Sequence, residues 1–383
     1  MGFEIKVFDV KDKKWVDRFI RFPWRVYRED KNWVPPVVLL QKFDEFNPKN
    51  PFYSHAKVKF IIAVKDGKIL GRLTAHIDYD HIDYHKEKVG FFGFFECLKN
   101  YEIAEELFKK AEEVLKKEGM EKIRGPFSFN TNGVSGLLVK GFDGPPKVMM
   151  PYNPPYYKEF IEKYGFKKVM DLYAYRIERK KFLKEVYPKV KDRLEKLIKR
   201  VVERGGFRIR KVDFKNLKEE LEKMRSIYND AWSRNWGFIP LRKEEFESLA
   251  DVMKRITMPD YTRIVETKDG ESVAFYVVLP DVNIIFKKMN GKILNLNLLR
   301  IIFGKVKDLP VGRLLLLGVK RKYQKTGIVA ALLYEAAVEG IRKGLKEMEC
   351  SWILETNLSM AKPIEYMGGE LYRIYRIYEK RIE

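Results

Sequence analysis

The sequence predicts an α/β protein built from two tandem domains, each a mixed β-sheet flanked by helices. Three observations support this prediction: an internal repeat, a β-hairpin signal in each copy, and alternating strand and helix patterns in the second half of each copy. Strand–helix–strand units bring parallel strands together, whereas hairpins are antiparallel, so each sheet is expected to be mixed. A length of 383 residues suits two domains of ordinary size.

The repeat appears as short motifs that return at a constant spacing. Three of them recur 203 residues later: Asn32-Trp33 as Asn235-Trp236, Lys65-Asp66-Gly67 as Lys268-Asp269-Gly270, and Glu162 with Gly165 as Glu365 with Gly368. One offset kept over so much of the chain indicates a duplicated domain. We predict a first domain over residues 1–177, a basic connecting helix over 178–204 and a second domain over 205–383.

The same order of elements is predicted for both copies. An alternating strand comes first, followed by an amphipathic helix (13–28 and 217–232) and a hairpin with Asp-Gly in its turn (59–77 and 262–278). A strand, a helix (102–117 and 327–343), another strand and another helix follow. The last strand covers 169–177 in the first copy and 371–381 in the second.

The most informative motif lies in the second copy. An apolar strand ends at Val319, a short polar loop follows, and Gly327 opens a helix with apolar residues at Ile328, Leu332 and Leu333. Free backbone N–H groups and the positive end of the helix dipole together make a site for a pyrophosphate. The glycine allows a phosphate to approach the backbone closely.

In this motif the chain resembles the GNAT acyltransferase superfamily, whose acyl-CoA loop reads Q/R-x-x-G-x-G/A between a strand and a helix. The stretch from Trp352 to Asn357, with Gly368 after it, matches the following strand–Asn–helix–Gly order. Because of the repeat, the resemblance covers almost the whole chain as a tandem pair of GNAT domains. The chain is also similar to a little-characterised bacterial group of such tandem proteins.

The resemblance implies a CoA-dependent N-acyltransferase, in the first place an acetyltransferase. Its co-substrate would be acetyl-CoA or another acyl-CoA, and its acceptor a small-molecule or peptide amine. The implied cofactor-binding residues are Leu317, Gly318 and Val319 for the pantetheine arm, Gln324, Lys325, Thr326, Gly327, Ile328, Val329 and Ala330 for the pyrophosphate, and Asn357 close to the cofactor.

Two residues are candidates for the proton transfers of acyl transfer. Glu355, at the end of its strand, is the candidate base that deprotonates an ammonium substrate. Tyr366 is the candidate acid, although it lies two residues beyond the family position, which Ile364 occupies. Val329 also departs from the family pattern, because it stands where a glycine or alanine is usual.

The first copy has Glu102 where the second has Gly327, and a carboxylate there would repel a pyrophosphate. We therefore predict a degenerate first domain, with its strand Gly90–Glu96 as a core strand or the wall of an acceptor pocket. The copies also carry different insertions. Residues 130–155 read as a lid or binding loop, and 290–312 as a lid or core helix with Leu294, Leu298, Ile301 and Ile302 on one face.

The net charge of +22 favours polyanionic partners, and residues 176–225 contribute +10 of it. Two rival hypotheses follow. A catalytically impaired GNAT-fold protein would bind CoA or another ligand without turnover, as Val329, Ile364 and Glu102 suggest. A nucleic-acid or anionic-membrane binder would use the basic stretch. The sequence has no nucleic-acid-binding motif, so nucleic acid is not expected to be an obligate partner. Only two glutamines occur among many lysines and glutamates, which favours a thermophilic source.

The remaining features give weaker indications. The segment His76–His85 mixes histidines and aspartates but has no established ligand spacing, so no metal is predicted. Cys97 and Cys350 are too few for a disulfide framework, and the chain has neither a signal-peptide pattern nor a transmembrane run. A cytoplasmic protein, monomeric or homodimeric, is expected.

Overall fold

A computed structural model describes residues 2–254, 259–292 and 305–383. Its strands are β1 Glu4–Phe8, β2 Ala56–Lys65, β3 Lys68–Asp78, β4 Val89–Cys97, β5 Lys122–Gly125, β6 Leu137–Lys140, β7 Lys167–Glu178, β8 Phe207–Lys211, β9 Thr262–Thr267, β10 Ser272–Pro280, β11 Val311–Val319, β12 Glu347–Leu354 and β13 Glu370–Arg381.

Within the same ranges the helices are α1 Lys13–Arg21, α2 Pro23–Val26, α3 Val38–Phe43, α4 Tyr79–His85, α5 Tyr101–Lys117, α6 Tyr156–Lys163, α7 Arg179–Lys181, α8 Tyr187–Lys199, α9 Leu217–Ala231, α10 Lys243–Lys254, α11 Asn283–Met289, α12 Ile328–Arg342 and α13 Leu358–Tyr366. Short 3₁₀ turns cover Pro51–Ser54, Phe214–Asn216, Pro259–Tyr261, Lys305–Asp308 and Arg321–Thr326. None of the described helices is long and apolar enough to cross a bilayer.

The described residues form two compact units. Unit one holds residues 2–171, 285–292 and 374–383, and unit two holds 172–284 and 305–373. The last strand of each repeat passes from one unit to the other, β7 between Asp171 and Leu172 and β13 between Arg373 and Ile374. The units therefore do not coincide with the sequence repeats, and the boundaries at 177 and 205 stay a prediction about the duplication.

Unit one contains a mixed sheet in the order β1-β2-β3-β4-β5, continued by the end of β13. Its parallel pair is β4 with β5, and the β2–β3 hairpin turns at Asp66-Gly67. Both turn residues have positive φ, 47° and 70°, as the two-residue turn demands. Helix α5 buries an apolar stripe that includes Leu107 and Ala111 against this sheet.

Unit two repeats this plan. Its sheet runs β8-β9-β10-β11-β12 and continues with the end of β7, and the parallel pair is β11 with β12. Helix α12 packs Ile328, Leu332 and Ala336 into the core formed by the inner strands. Both units thus have the mixed sheets flanked by helices that the sequence predicts.

The predicted connecting helix is present in unit two as a nearly continuous helical segment from Arg179 to Arg204. Two π-turns, Phe182–Val186 and Arg200–Arg204, flank α8 within it. Phe182, Val190 and Leu194 are buried and pack beside Tyr334 of α12. The segment is therefore packed on one face.

Three segments differ from the sequence reading or escape it. The segment after the first hairpin, for which no helix is predicted from the sequence, is helix α4, because Asp78 accepts a hydrogen bond from the Asp80 N–H at 3.0 Å and so caps the helix. The predicted loop 130–155 contains strand β6, which pairs with β13. Most of the predicted insertion 290–312, including Leu294, Leu298, Ile301 and Ile302, lies outside the described residues.

Candidate functional site

The two parallel strands of unit two separate before they end. Their register runs from Val311 opposite Glu347 to Leu314 opposite Cys350, after which β11 continues to Val319 and β12 to Leu354. On its other edge β11 stays paired with β10 through Val319, with a bulge after Leu314. Bulges commonly redirect strands next to functional sites. The backbone of the predicted residues Leu317, Gly318 and Val319 therefore lies beyond the last β11–β12 pair.

Helix α12 begins after the loop that follows this strand end, and its N-terminus is uncapped. Gly327 precedes it in the left-handed region at φ 89°, and no side chain caps the helix. The ladder starts with the Ala331 N–H donating to the Gly327 carbonyl at 3.1 Å. The amides of Ile328, Val329 and Ala330 come before that first bond, so they are the donors that a helix start offers to an anion.

Two side-chain hydrogen bonds shape the loop before Gly327. The Gln324 side-chain amide donates to the Val319 carbonyl at 3.2 Å, and the Thr326 hydroxyl donates to the Tyr323 carbonyl at 2.6 Å. Val329, which departs from the family pattern, packs its side chain against the core of unit two. The structure thus brings the predicted residues Gln324 to Ala330 together in one loop and helix start.

A basic groove of about 510 Å³ lies beside this loop. Arg200, Arg204, Lys322, Tyr323 and Thr326 are among the residues that line it, and none of the described residues that line it is acidic. The two arginines come from the end of the connecting helical segment. Guanidinium groups match the geometry of phosphate oxygens, so the groove suits a phosphorylated ligand. The sequence shows excess positive charge over residues 176–225, but it does not predict that these arginines lie beside the loop before Gly327.

Several other cations of the basic stretch 176–225 pair with carboxylates of the same unit. Arg210 contacts Glu220 at 2.7 Å and Glu266 at 2.6 Å. At least five more cations of the stretch have a carboxylate partner: Arg176, Lys181, Lys211, Lys223 and Arg225. Because paired cations leave less field for a polyanion, these six residues contribute less to anion binding than their number suggests.

The predicted catalytic residues are divided between the two ends of α13. Glu355 directly follows β12, and Asn357 is the N-cap position of α13, where its Oδ1 accepts from the Ser359 hydroxyl at 2.7 Å. Tyr366 ends the helix, is 46% exposed and lies 3.5 Å from an Arg193 nitrogen. At about 1.5 Å per residue, roughly 13 Å of helix separates it from Asn357. Glu355 and Asn357 are therefore neighbours, and Tyr366 is not.

Unit one has the same strand separation but a closed helix start. The β4–β5 register ends at Phe91 opposite Arg124, and the bulge in β4 places Phe94 at φ 49°. Helix α5 is capped by Asn100, whose Oδ1 accepts from the Glu102 N–H at 3.0 Å. The helix start that is predicted to have lost the phosphate site thus has an acidic residue in its first turn and is capped by Asn100.

Beyond the bulge in β4 lies a carboxylate that the sequence reading did not single out. Two tyrosine hydroxyls donate to Glu96 Oε2, that of Tyr27 at 2.9 Å and that of Tyr157 at 2.8 Å. Burial raises the pKa of Glu96 to about 7, while Arg72 and the two hydroxyls act to lower it. One signal was available in the sequence, since Glu96 is the single acid in the apolar run from Gly90 to Cys97.

The histidine-rich segment divides among separate environments. His76 is buried against Phe129, and burial lowers its pKa to about 4. His81 contacts Glu87 at 2.8 Å. Among the described residues, the group with ligand atoms close enough for a metal ion is His55 with Asp78 and Asp80. Asp78 is already engaged there by His55 at 3.0 Å and by the amide of Asp80. The segment predicted from sequence therefore contributes only its two aspartates to that group.

No protein-family model matches the chain. Protein YghO of Escherichia coli K12 is 36% identical over 369 residues, covering 95% of this chain and 92% of YghO. The bacterial ceramide synthase of Caulobacter vibrioides is 32% identical over an alignment of 389 residues, covering 99% of this chain and 98% of that protein. The chain belongs to the family of these two proteins. Their similarity extends over both repeats.

Among solved structures, a tandem GNAT protein from the clavulanic acid biosynthesis pathway is similar along its whole length. The TM-score is 0.57 at 10% identity, with 100% of this chain and 99% of that chain covered. Identity this low shows the fold alone. The prediction of a tandem GNAT fold, based on Gln324–Gly327 and Asn357, is confirmed.

Proposed function

We propose that this protein is a CoA-dependent N-acyltransferase that carries the CoA phosphates at the start of α12 in unit two. The observation that carries the proposal is the uncapped helix start at Gly327 beside a groove lined by Arg200, Arg204 and Lys322. A helix start with free amides and adjacent arginines has the donor set that a pyrophosphate needs. The tandem GNAT fold and the family membership support the acyltransferase class.

The relative named ceramide synthase gives the proposal its acceptor class. A ceramide is the amide of a fatty acid with a long-chain amino alcohol, so its synthesis requires acyl transfer to a primary amine. We extend this acceptor class to the present chain on the 32% identity over its full length. The acetyl group expected first from the sequence is then one member of a range of acyl groups, to be compared with longer chains.

The chemistry requires one bond exchange and two proton movements. The amine nitrogen attacks the thioester carbonyl carbon, the N–C bond forms, the C–S bond breaks and the thiolate leaves. An ammonium substrate must first lose a proton, and the thiolate must gain one. In unit two, Glu355 remains the candidate base and Asn357 its neighbour beside the cofactor. Tyr366, at the far end of α13, is not assigned a proton transfer.

A titration with acyl-CoA tests the proposal. Calorimetry with acetyl-CoA and palmitoyl-CoA is expected to give saturable binding to the wild type and a loss of at least about 100-fold in Gly327→Glu. The loss is expected because the new carboxylate meets the phosphates, and it should shrink as salt rises.

Gly344→Glu is the matched control for that charge. Gly344 follows the same helix at its other end, has a similar φ of 80° and has nothing within 4 Å of an added Cβ. Its substitution therefore adds the same charge and similar backbone strain away from the site, and CoA affinity should stay within about twofold. Failure of the wild type to bind any CoA ester would contradict the proposal.

A further inference from the structure

The polar group around Glu96 in unit one is built like a proton-accepting site. Both tyrosine hydroxyls donate to Oε2, and the Cys97 amide donates in turn to the Tyr157 oxygen at 2.6 Å. No described residue donates to Oε1. The side chain is partly exposed, whereas Tyr27 and Tyr157 are buried. One carboxylate oxygen is therefore fixed, and the other is left for a ligand.

Arg72 lies directly opposite Glu96 on the neighbouring strand. The two residues are register partners on β3 and β4, so their side chains share one face. Arg72 is 6% exposed; its guanidinium donates to the Phe19 carbonyl and lies over the Phe19 ring, and its Nε has no partner. Its charge lowers the pKa of Glu96 and partly offsets the rise caused by burial. The pKa of Glu96 is thereby held at about 7, close to the pH at which a general base is most effective.

Aromatic rings extend from Tyr27, one of the two tyrosines that hold Glu96. The Tyr27 ring stacks on Trp33 with centroids 4.8 Å apart and planes 8° apart, and Trp24 meets Trp33 edge-on at 5.1 Å. Both tryptophans are partly exposed. The tryptophans reach Glu96 only through Tyr27, and they add aromatic rings of the kind that attract cations to the same part of unit one.

We propose that Glu96 binds a primary amine in unit one and accepts the proton of its ammonium form through Oε1, the role for which Glu355 of unit two is the other candidate. In this step one N–H bond breaks and one O–H bond forms, which leaves a neutral amine whose lone pair can attack an acyl carbonyl. No change of oxidation state is involved. The role of this amine as acyl acceptor rests on the function proposed above, whereas its binding to Glu96 does not.

Dodecylamine below its micellar concentration is a suitable probe, with dodecanol as the ligand that lacks the amine. Calorimetry at pH 6, 7 and 8 should show wild-type affinity for dodecylamine rising about tenfold as a group of pKa near 7 ionises. Glu96→Gln should remove this rise and weaken binding about tenfold at pH 8. Dodecanol should bind without pH dependence. Glu96→Gln retaining the rise would overturn the proposal.

The matched control is Glu45→Gln. Glu45 lies in the same unit, and burial raises its pKa to about 7 as well, but it has no bond to Tyr27 or Tyr157. This variant should keep the wild-type pH dependence. The other groups facing Glu96 do not titrate between pH 6 and 8, because Arg72 stays charged and the pKa values of Tyr27, Tyr157, Tyr156 and Cys97 are raised.

Tyr27→Phe keeps the proposal testable if Glu96→Gln fails to fold. The Tyr27 hydroxyl lowers the pKa of Glu96, so its removal should move the midpoint of the pH dependence upward. A purely structural tyrosine would weaken binding without moving that midpoint, and an unmoved midpoint counts against the proposal. Acyl-CoA titrations run separately on each variant distinguish the two ideas. If no variant and no wild-type protein binds acyl-CoA, the proposed function is contradicted. If Glu96→Gln binds the amine as the wild type does, only the amine site is contradicted.

Discussion

The two repeats differ at the end of the strand that has a bulge in each copy, β4 in unit one and β11 in unit two. Next to the last residue of that strand, unit one has Glu96 opposite Arg72, and in unit two the corresponding register pair is Gly318 opposite Phe275. Phe275 lies 203 residues after Arg72, the spacing of the repeat. An ideal Cβ at Gly318 would come 2.3 Å from the Trp232 ring, so an aromatic side chain takes the space that a carboxylate occupies in unit one.

The helix starts differ in the opposite sense. Helix α12 starts uncapped at Gly327 beside a basic groove, whereas α5 is capped by Asn100 and has Glu102 in its first turn. Unit two therefore has the features of the proposed phosphate site and no acid at the end of β11. Unit one instead has a carboxylate of raised pKa and a capped helix start. A duplicated domain can divide its chemistry in this way because each copy retains the fold while single residues change.

The largest effect on stability is expected from the carboxylate that unit two lacks. The pKa of Glu96 is raised from its ordinary value near 4.5 to about 7. The protonated carboxyl therefore stabilises the folded state fully below pH 4.5. This stabilisation, roughly 3 kcal/mol in total, is lost as the pH rises from 4.5 through 7. Glu96→Gln stays neutral, so the free energy of unfolding of this variant should gain on the wild type between pH 5 and 8 in urea titrations. Parallel pH profiles would show that Glu96 is solvated in the native state.

A smaller loss is expected from adding one methyl group to the strand end of unit two. Gly318→Ala should destabilise the protein by about 2 kcal/mol, because the new Cβ must displace the Trp232 ring, which also stacks on Tyr228. In a Trp232→Leu background the same change should cost clearly less, as a double-mutant cycle in urea would measure. Equal costs in both backgrounds would mean that the ring is not what excludes a side chain there.

Most of the architecture could be predicted because it depends on local patterns. The Asp66-Gly67 turn, the apolar stripe of α5 and the Gly327 helix start follow from residue type and spacing. The passage of β7 and β13 between units could not be predicted, since a strand has the same alternation whichever sheet it joins. Helix α4 was missed because its cap, Asp78, also fits the end of a strand.

The site divides along the same line. Gln324 to Ala330 are contiguous, so a motif identifies them, and Asn357 follows from its place after β12. The group around Glu96 comes from β3, β4, the end of α2 and α6, which only the folded chain brings together. Arg200 and Arg204 likewise reach the groove because the connecting segment packs next to α12. Long-range contacts of this kind leave no spacing in the sequence.

The smallest effect tests whether the helix start of unit one is closed by its own cap. Asn100→Ala removes the acceptor for the Glu102 N–H and should cost about 1 kcal/mol in urea unfolding, whereas Asn100→Asp keeps the bond and should cost little. Unit two has no counterpart to this loss, because no side chain caps α12. If Asn100→Ala were neutral, the cap would not separate the two helix starts. The acidic first turn at Glu102 would then be the remaining reason to expect no phosphate binding at this helix start, since a carboxylate among the first amides repels an anion directly.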